Sequence, residues 1–241
     1  MEKLGIPFHS VTKSRSFFVS TNRPENLEII FENFARQAVS NKELVVLTHG
    51  YIPEAQTIEA LKKKYDVSSV HFIYGPKEQT LGANLNALTD ACTGEVLFRM
   101  DDDDYYGANY ARDLEHALNF SNAALVGKAA SYIYFEELNS SVLTYIGHEN
   151  RFTDFVRGAT FCGPKETFKK FRFPELHTSE DSSFLEQVKK SGEKIYAADR
   201  FNLLVMRRAN KDTHTWKVDD FKLYSSGEMR FVGGSPEQVT V

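Results

Sequence analysis

The stretch Glu95-Val96-Leu97-Phe98-Arg99-Met100 runs directly into Asp101-Asp102-Asp103-Asp104, the tightest concentration of charge in this chain. The short apolar run is typical of a buried strand. Four adjacent carboxylates repel one another, so a folded chain keeps them at a strand end only if a cation offsets the repulsion, usually a divalent metal. The sequence therefore predicts a strand that ends at a site for metal-bound phosphate.

Before this junction, strand-like apolar runs alternate with segments of helical spacing. The predicted strands are 17–20, 44–47 and 70–74, and the predicted helices are 24–38, 58–64 and 81–92. This alternation predicts an α/β fold with βαβ units, in which a Rossmann-like, mostly parallel central sheet carries helices on both faces. Ligands bind at the carboxyl ends of the strands in such sheets, where the aspartates lie.

The second half of the chain is less regular. It predicts strands at 123–127 and 131–135, a loop-rich stretch at 151–163, a helix at 180–191 and short strands at 194–198 and 202–206. The stretch from 225 onward predicts a surface segment.

Composition limits the function classes. The chain has 241 residues, of which 41% are hydrophobic, enough for a full core. Its formal net charge of −4 gives no basic field for nucleic acid. Cys92 and Cys162 form no metal-ligand pair, and no signal segment or membrane-spanning apolar stretch is present. We expect a cytoplasmic protein without disulfides, nucleic-acid partners or an integral membrane segment; peripheral association with the inner face of the membrane stays open.

A calcium loop is one alternative for the aspartate cluster. Asp102, Asp104, Gly107 and Asp113 have the spacing of an EF-hand loop. Tyr106 stands where that loop needs an oxygen ligand, and the preceding segment has a strand pattern rather than a helical one. A solvated acidic run is the other alternative, but such runs do not normally follow an apolar strand.

Six segments, in order, resemble the inverting glycosyltransferases of family 2, which have the nucleotide-sugar-binding GT-A fold. They are Val19-Ser20-Thr21-Asn22-Arg23-Pro24, Leu81-Gly82-Ala83-Asn84-Leu85-Asn86-Ala87-Leu88, Asp101 to Asp104, Gly158-Ala159-Thr160-Phe161, Glu180-Asp181 and residues 207–216, which end in His214-Thr215-Trp216. The resemblance implies a single GT-A domain over 17–218, with a nucleotide-binding half at 17–104 and an irregular acceptor-binding half at 105–218. Residues 1–16 form a lead-in segment and 219–241 a C-terminal tail.

The resemblance implies transfer of a hexosyl or related sugar from a nucleotide-diphosphate sugar, with a UDP-sugar as the first expectation. The acceptor would be a hydroxyl group of a saccharide or glycan in surface polysaccharide assembly. In the family's D-x-D pattern, Asp101 faces the ribose and Asp103 the metal, Mn²⁺ or Mg²⁺, which acts as a Lewis acid on the diphosphate. Asp102 is a further candidate donor contact, and Asp101, Asp103 and His214 form the candidate metal set. A shift of the register, in which Asp102 or Asp104 takes part instead, stays open. His214 on its own is equally typical of a surface or core imidazole.

Inversion is a single displacement, so the acceptor hydroxyl needs a base on the face opposite the leaving diphosphate. Asp181 is the candidate base, and Glu180 is the next candidate. Both also suit the start of a helix, where acids favour the helix dipole.

Further donor contacts follow from the resemblance at Ser20, Thr21, Asn22, Arg23, Asn84, Asn86 and Gly158. Asn84 and Asn86 are equally typical of polar helix residues, and Gly158 of a turn. The chain departs from the family at Thr48-His49-Gly50-Tyr51, where an acidic turn usually reads uracil, and at Leu85, where an arginine is common. His49 is the candidate replacement for the lost base contact.

Two rival functions share part of this pattern. A nucleotidyltransferase uses the same sheet and metal but needs a Gly-rich basic loop after its first strand, which Thr21-Asn22-Arg23-Pro24 lacks. A non-catalytic calcium- or sugar-binding module would be expected to have lost the base or the metal pair, and this sequence has both.

Overall fold

The first half of the chain alternates strands and helices as predicted. The computed structural model describes residues 13–209 and 219–241. Its first elements are β1 (Arg15–Thr21), α1 (Leu27–Arg36), β2 (Lys42–His49), α2 (Ala55–Tyr65), β3 (Val70–Gly75), α3 (Leu81–Ala91), β4 (Val96–Arg99) and β5 (Tyr105–Tyr106). A 3-10 turn at Pro24–Asn26 leads into α1, in keeping with the preference of proline for a first helical turn.

The second half contains shorter elements. They are α4 (Tyr110–Ser121), β6 (Leu125–Gly127), β7 (Ser131–Phe135), β8 (Ser140–Thr144), β9 (Arg151–Phe152), β10 (Cys162–Pro164), α5 (Lys165–Lys170), α6 (Glu180–Lys190), β11 (Ile195–Ala197), β12 (Leu203–Arg207), α7 (Asp220–Ser225) and β13 (Met229–Val232). None of the helices in the two described ranges combines the length and apolar character needed to cross a bilayer.

The main sheet confirms the predicted α/β architecture. Its eight strands follow the order β3-β2-β1-β4-β10-β6-β11-β9. Strand β1 pairs in parallel with both β2 and β4, and β10 inserts antiparallel between β4 and β6. Because β1, β2 and β4 point the same way, their carboxyl ends meet at one edge. The segments after Thr21, His49 and Arg99 therefore lie side by side.

Two hydrophobic cores cover the faces of this sheet. Alternate strand residues point to opposite faces, so Phe17 enters one core with α1 and α4, and Phe18 enters the other with α3, α5 and α6. Both phenylalanines are fully buried. The sheet is thus a rigid support for the loops that follow its strands.

A second sheet corrects the prediction for the end of the chain. Its order is β13-β8-β7-β12-β5, so residues 229–232 form an edge strand paired antiparallel with β8. Val239 is buried, and its carbonyl oxygen accepts a hydrogen bond of 2.7 Å from the Asn202 amide. The prediction of a surface segment from 225 onward fits the exposed Val232 but missed the strand at 229–232 and the buried Val239, because a four-residue strand carries too short a pattern to reveal its distant partner.

Gly82 marks a close approach between α3 and the segment before α6. A Cβ on Gly82 would lie 1.8 Å from the Pro174 carbonyl oxygen, and the Gly82 amide donates to the Leu176 carbonyl at 3.1 Å. We expect Gly82→Ala to lower the free energy of unfolding by about 1–3 kcal/mol, because the backbone must shift to relieve the overlap. Urea denaturation measures this change.

Gly75→Ala is the control for this substitution. A Cβ on Gly75 would lie 3.2 Å from the end of the flexible Gln79 side chain, which is free to rotate away. We expect a change within about 0.5 kcal/mol. Equal urea midpoints for the two variants would show that α3 does not depend on this contact.

Candidate active site

A cleft of about 370 Å³ opens at the carboxyl ends of β1, β2 and β4. It is lined by Ser20, Thr21, Asn22, Arg23, His49, Gln79, Leu81, Leu85, Arg99, Met100, Asp101, Asp102, Asp103, Asp104, His177, Thr178, Val205, Met206 and Arg207. The structure thus brings the predicted residues of the β1 loop, His49 and the aspartate cluster together. The sequence did not point to Arg99, Gln79, His177 or Thr178 as cleft residues.

Arg23 provides the counter-charge for two of the aspartates. Its Nε donates to Asp102 Oδ2 at 3.0 Å, and its Nη1 donates to Asp103 Oδ2 at 2.9 Å. The Thr21 hydroxyl also donates to Asp102 Oδ2, at 2.5 Å. Asp102 is buried, and its hydrogen bonds with Thr21 and Arg23 hold the loop after β1 in place. A contact between Asp102 and a donor stays a prediction.

Asp101 and Asp103 have the chemistry that a hard divalent cation requires. Burial and the neighbouring Asp102 carboxylate raise the pKa of Asp103 to about 6. Desolvation by the cleft walls also raises the pKa of Asp101, although Arg99 opposes this change and 41% of the Asp101 side chain is exposed to the cleft. Both carboxyl groups therefore lie where added positive charge would stabilise their ionised forms.

Two carboxylates do not complete a metal site. Within residues 13–209 and 219–241, no three His, Cys, Asp or Glu side chains converge as a ligand set. A cation that is held by only one or two carboxylates takes its other ligands from phosphate oxygens and water. His214, the third predicted ligand, lies outside the described residues.

Asp104 has a structural role. Its Oδ1 accepts a hydrogen bond of 2.9 Å from the Met206 amide, and its carbonyl oxygen accepts one of 2.8 Å from Asn33 Nδ2. Burial, followed by the charges of Asp103 and Asp101, raises its pKa well above the usual range. Asp104 thus joins the aspartate loop to β12 and α1. Asp101 and Asp103 stay the predicted metal pair.

Tyr106 connects the aspartate loop to the segment in front of α6. Its hydroxyl accepts from the Asp101 amide at 2.7 Å and donates to the Ala159 carbonyl at 3.0 Å. Next to Ala159, a Cβ on Gly158 would lie 2.5 Å from Asp181 Oδ2. A glycine is therefore needed at 158, because the Asp181 side chain packs against its backbone. Through these contacts, Asp101 and Asp181 lie at the same end of the sheet.

Arg99 is the charged residue that sequence reasoning missed. It is buried at the end of β4, with Nε 3.4 Å from Asp101 Oδ1 and Nη2 3.4 Å from Glu180 Oε1. The signal was an arginine within an otherwise apolar strand, directly before the aspartates. Arg99 places the start of α6 beside the aspartate cluster.

The two candidate bases occupy different environments. Glu180 is buried, and burial raises its pKa while Arg99 opposes the change. Asp181 is partly exposed, and its Oδ1 accepts from the Ser182 amide at 2.6 Å. This arrangement gives Glu180 a partner inside the protein and leaves Asp181 the more accessible carboxylate.

The two asparagines of α3 lie away from the cleft lining. Asn86 Nδ2 donates to the Phe173 carbonyl at 2.8 Å, and Asn86 Oδ1 accepts from the Phe173 amide at 3.0 Å. Asn84 is fully buried, and its Nδ2 donates to Ser20 Oγ at 3.3 Å. Asn86 thus has the contacts of a structural residue, and Asn84 stands behind a cleft residue.

His49 lines the cleft at the end of β2. Burial lowers its pKa, so the ring is neutral near pH 7. Among the described residues, its buried Nδ1 has no hydrogen-bond partner. Because this nitrogen is buried, a contact between His49 and a nucleobase stays a prediction.

Sequence comparison places the chain among known proteins. A sequence model described as "Glycosyl transferase family 2" matches residues 17–190. The curated "Amylovoran biosynthesis glycosyltransferase AmsE" of Erwinia amylovora is 32% identical over 84 residues. This match covers 34% of the present chain and 30% of that protein.

Solved structures show the same fold. The S. aureus TarS 1-349 structure in complex with UDP-GlcNAc matches with a TM-score of 0.62 and 15% identity, over 88% of this chain and 64% of that one. The mannosyltransferase PcManGT from Pyrobaculum calidifontis, in complex with GDP-Man and Mn²⁺, matches with a TM-score of 0.62 and 12% identity, over 84% and 58%. The chain thus spans less than two thirds of these relatives.

Proposed function

Because the chain belongs to glycosyl transferase family 2, we propose that it moves a sugar from a nucleoside diphosphate sugar to a hydroxyl group of a saccharide acceptor, with inversion at the anomeric carbon. One observation carries the proposal. Buried Arg99 contacts Asp101 and Glu180, which supports a site in which the start of α6 works beside the aspartate cluster, although Glu180 and Asp181 do not line the cleft itself. A donor diphosphate and an acceptor base need this proximity.

The β1 loop and the aspartate cluster form the proposed donor side. Asp101 and Asp103 would hold Mn²⁺ or Mg²⁺, which when bound supplies Lewis-acid neutralisation of the leaving diphosphate. Arg23 adds a guanidinium that already pairs with Asp103 at 2.9 Å. His49 supports recognition of the base, for which uracil is the first candidate.

Asp181 forms the proposed acceptor side. Its carboxylate would take the proton of the acceptor hydroxyl while that oxygen attacks the anomeric carbon and the bond from this carbon to the diphosphate breaks. The hydrogen bond from the Ser182 amide to Asp181 Oδ1 orients the carboxylate.

The acceptor proposed for this reaction is a saccharide or glycan. The family supports transfer to a hydroxyl group, and the match to a protein named for amylovoran biosynthesis favours a polysaccharide product. Assembly of a surface polysaccharide is therefore the proposed biological setting, with hexose or a related sugar as the transferred unit.

A thermal-shift screen tests donor binding. With Mn²⁺ present, we expect one of the uridine, guanosine or cytidine diphosphates to stabilise the protein. At a nucleotide concentration 100 times the dissociation constant, the free energy of unfolding should rise by about 2.7 kcal/mol. For a domain of this size that corresponds to a rise of about 5–10 °C in Tm. Asp103→Asn should lose the Mn²⁺-dependent part of the shift, because one of the two cation ligands is gone.

Asp90→Asn is the matched control, because Asp90 is an exposed aspartate that pairs with Arg172 on the outside of α3. It should keep the full shift. If none of the three diphosphates stabilises the wild type, or if Asp103→Asn behaves as Asp90→Asn does, the proposed donor site is wrong.

A further inference from the structure

A second open groove, of about 580 Å³, lies beside β9 at the edge of the main sheet. Three aromatic side chains line it with much of their surface exposed: Tyr145 (50%), Phe152 (50%) and Phe155 (36%). The Tyr145 and Phe155 rings stack, with centroids 5.2 Å apart and planes at 28°. Exposed, ordered rings of this kind usually mark a binding surface.

Tyr145 is held in an uncommon conformation. Its φ of 55° lies in the left-handed region, which costs a bulky residue on the order of 1 kcal/mol or more. The Arg157 guanidinium carbon lies 5.5 Å from the ring centroid, and Arg157 Nη2 donates to Thr144 Oγ1 at 2.5 Å. The local structure thus fixes the Tyr145 ring toward solvent rather than in a core.

Polar groups surround the rings. Arg151, Asp154 and His148 line the groove, and Lys194 Nζ lies 5.1 Å from the centroid of the Phe152 ring. The groove therefore combines flat apolar faces with hydrogen-bond donors and acceptors around them. A pyranose ring has the matching chemistry, because its C–H groups form an apolar face and its hydroxyl groups form a polar rim.

The groove is connected to the candidate active site through two segments. Phe155 stands three residues before Gly158, against which Asp181 packs. Lys189 lines the groove at the far end of α6, eight residues after Asp181, which corresponds to about 12 Å along a helix. A short run of linked sugars can span this distance.

We propose that this groove binds sugar units of the acceptor chain other than the one that receives the new sugar. The proposal rests on the proposed function for the nature of the acceptor. Tyr145 and Phe155 stack on the pyranose rings, and His148, Arg151 and Asp154 bind the hydroxyl groups. The groove thereby favours a polymeric acceptor over a single sugar.

Native gel electrophoresis with the full chain tests this proposal. The gels contain one of four soluble hexose polymers: dextran, laminarin, galactomannan or hydroxyethyl cellulose. We expect at least one polymer to retard the wild type, and Tyr145→Asn and Phe155→Ala each to weaken the affinity about tenfold or more, as truncation of a central aromatic contact does. Asparagine suits the left-handed φ at 145, so this variant should fold normally.

Phe221→Ala is the control, because Phe221 on α7 is 77% exposed and does not line the groove. It should be retarded like the wild type. If a polymer retards the wild type but none of the three diphosphates stabilises it, the proposed function is overturned and the groove stands.

The groove proposal is overturned if no polymer retards the wild type, or if Tyr145→Asn is retarded as strongly as the wild type. It is also overturned if sedimentation shows a dimer that Tyr145→Asn dissociates and no polymer retards the protein. That outcome would assign the groove to a second copy of the chain.

Discussion

Asp181→Asn is expected to lower the rate of sugar transfer by about 10²–10⁴, the usual contribution of a general base. Asparagine has nearly the same shape as aspartate but accepts no proton from the acceptor hydroxyl. Donor binding should not change, because the donor contacts lie on the β1 loop and the aspartate cluster. The thermal shift identifies the nucleotide, and release of this nucleoside diphosphate from its sugar conjugates, with acceptor present, measures the rate.

Asp219→Asn separates catalysis from helix capping. Asp219 caps α7, where its carboxylate accepts from the Lys222 amide at 2.8 Å. Asparagine is as good an N-cap as aspartate, so Asp219→Asn should keep the stability of the wild type within about 0.5 kcal/mol. Asp181→Asn removes one charge from the first turn of α6 and should change the stability by at most about 1 kcal/mol. Full transfer activity in Asp181→Asn would remove Asp181 from the mechanism and make Glu180 the next base to test.

Arg99→Met is expected to lower the free energy of unfolding by about 3–5 kcal/mol, the usual result of removing one partner of a buried ion pair. Glu180 would then be a buried carboxylate without its counter-charge. The double variant Arg99→Met, Glu180→Gln should recover part of this loss, because it removes the uncompensated charge. Urea denaturation of the two single variants and the double variant measures the coupling.

The destabilisation caused by Arg99→Met should increase as the pH rises. Burial raises the pKa of Glu180, so the folded variant takes up a proton more readily than the unfolded chain. A group whose folded pKa is raised favours folding at low pH and loses that contribution as the pH rises. The difference between Arg99→Met and the wild type should therefore be smaller near pH 5 than near pH 8.

Arg172→Met is the control for Arg99→Met. Arg172 makes two hydrogen bonds to Asp90, but both side chains are exposed. Its loss should cost at most about 1 kcal/mol at any pH in this range. An equally small cost for Arg99→Met would show that the Arg99 contacts do not hold α6 at the cleft.

The sequence was sufficient for the parallel half of the fold. Strands β1 to β4 and helices α1 to α3 have long, regular apolar patterns, and local periodicity is the strongest signal that a sequence contains. In the second sheet, β7 and β12 were also predicted, at 131–135 and 202–206, whereas β5, β8 and β13 were not. Strand β13 has four residues and a partner in β8, about 90 positions earlier in the chain, and no local pattern reports such a pairing.

The aspartate cluster shows a second limit of prediction from the sequence. Four identical neighbours give no internal pattern that fixes the register, so the assignment of Asp101 to the ribose and Asp103 to the metal came from the family resemblance alone. The structure gives each carboxylate its own partners: Asp102 binds Thr21 and Arg23, Asp103 binds Arg23, Asp104 binds the Met206 amide, and Asp101 lies 3.4 Å from Arg99. These partners come from β1, β12 and the β4 loop, which only the tertiary fold brings together.

The position of Mn²⁺ in crystals grown with the nucleoside diphosphate that gives the largest thermal shift tests the proposed donor site. We expect an anomalous-scattering peak within coordination distance of Asp103 or Asp101 and of the diphosphate oxygens, with the base beside His49. A manganese peak away from both aspartates, or a diphosphate bound outside the cleft at the ends of β1, β2 and β4, would contradict this expectation.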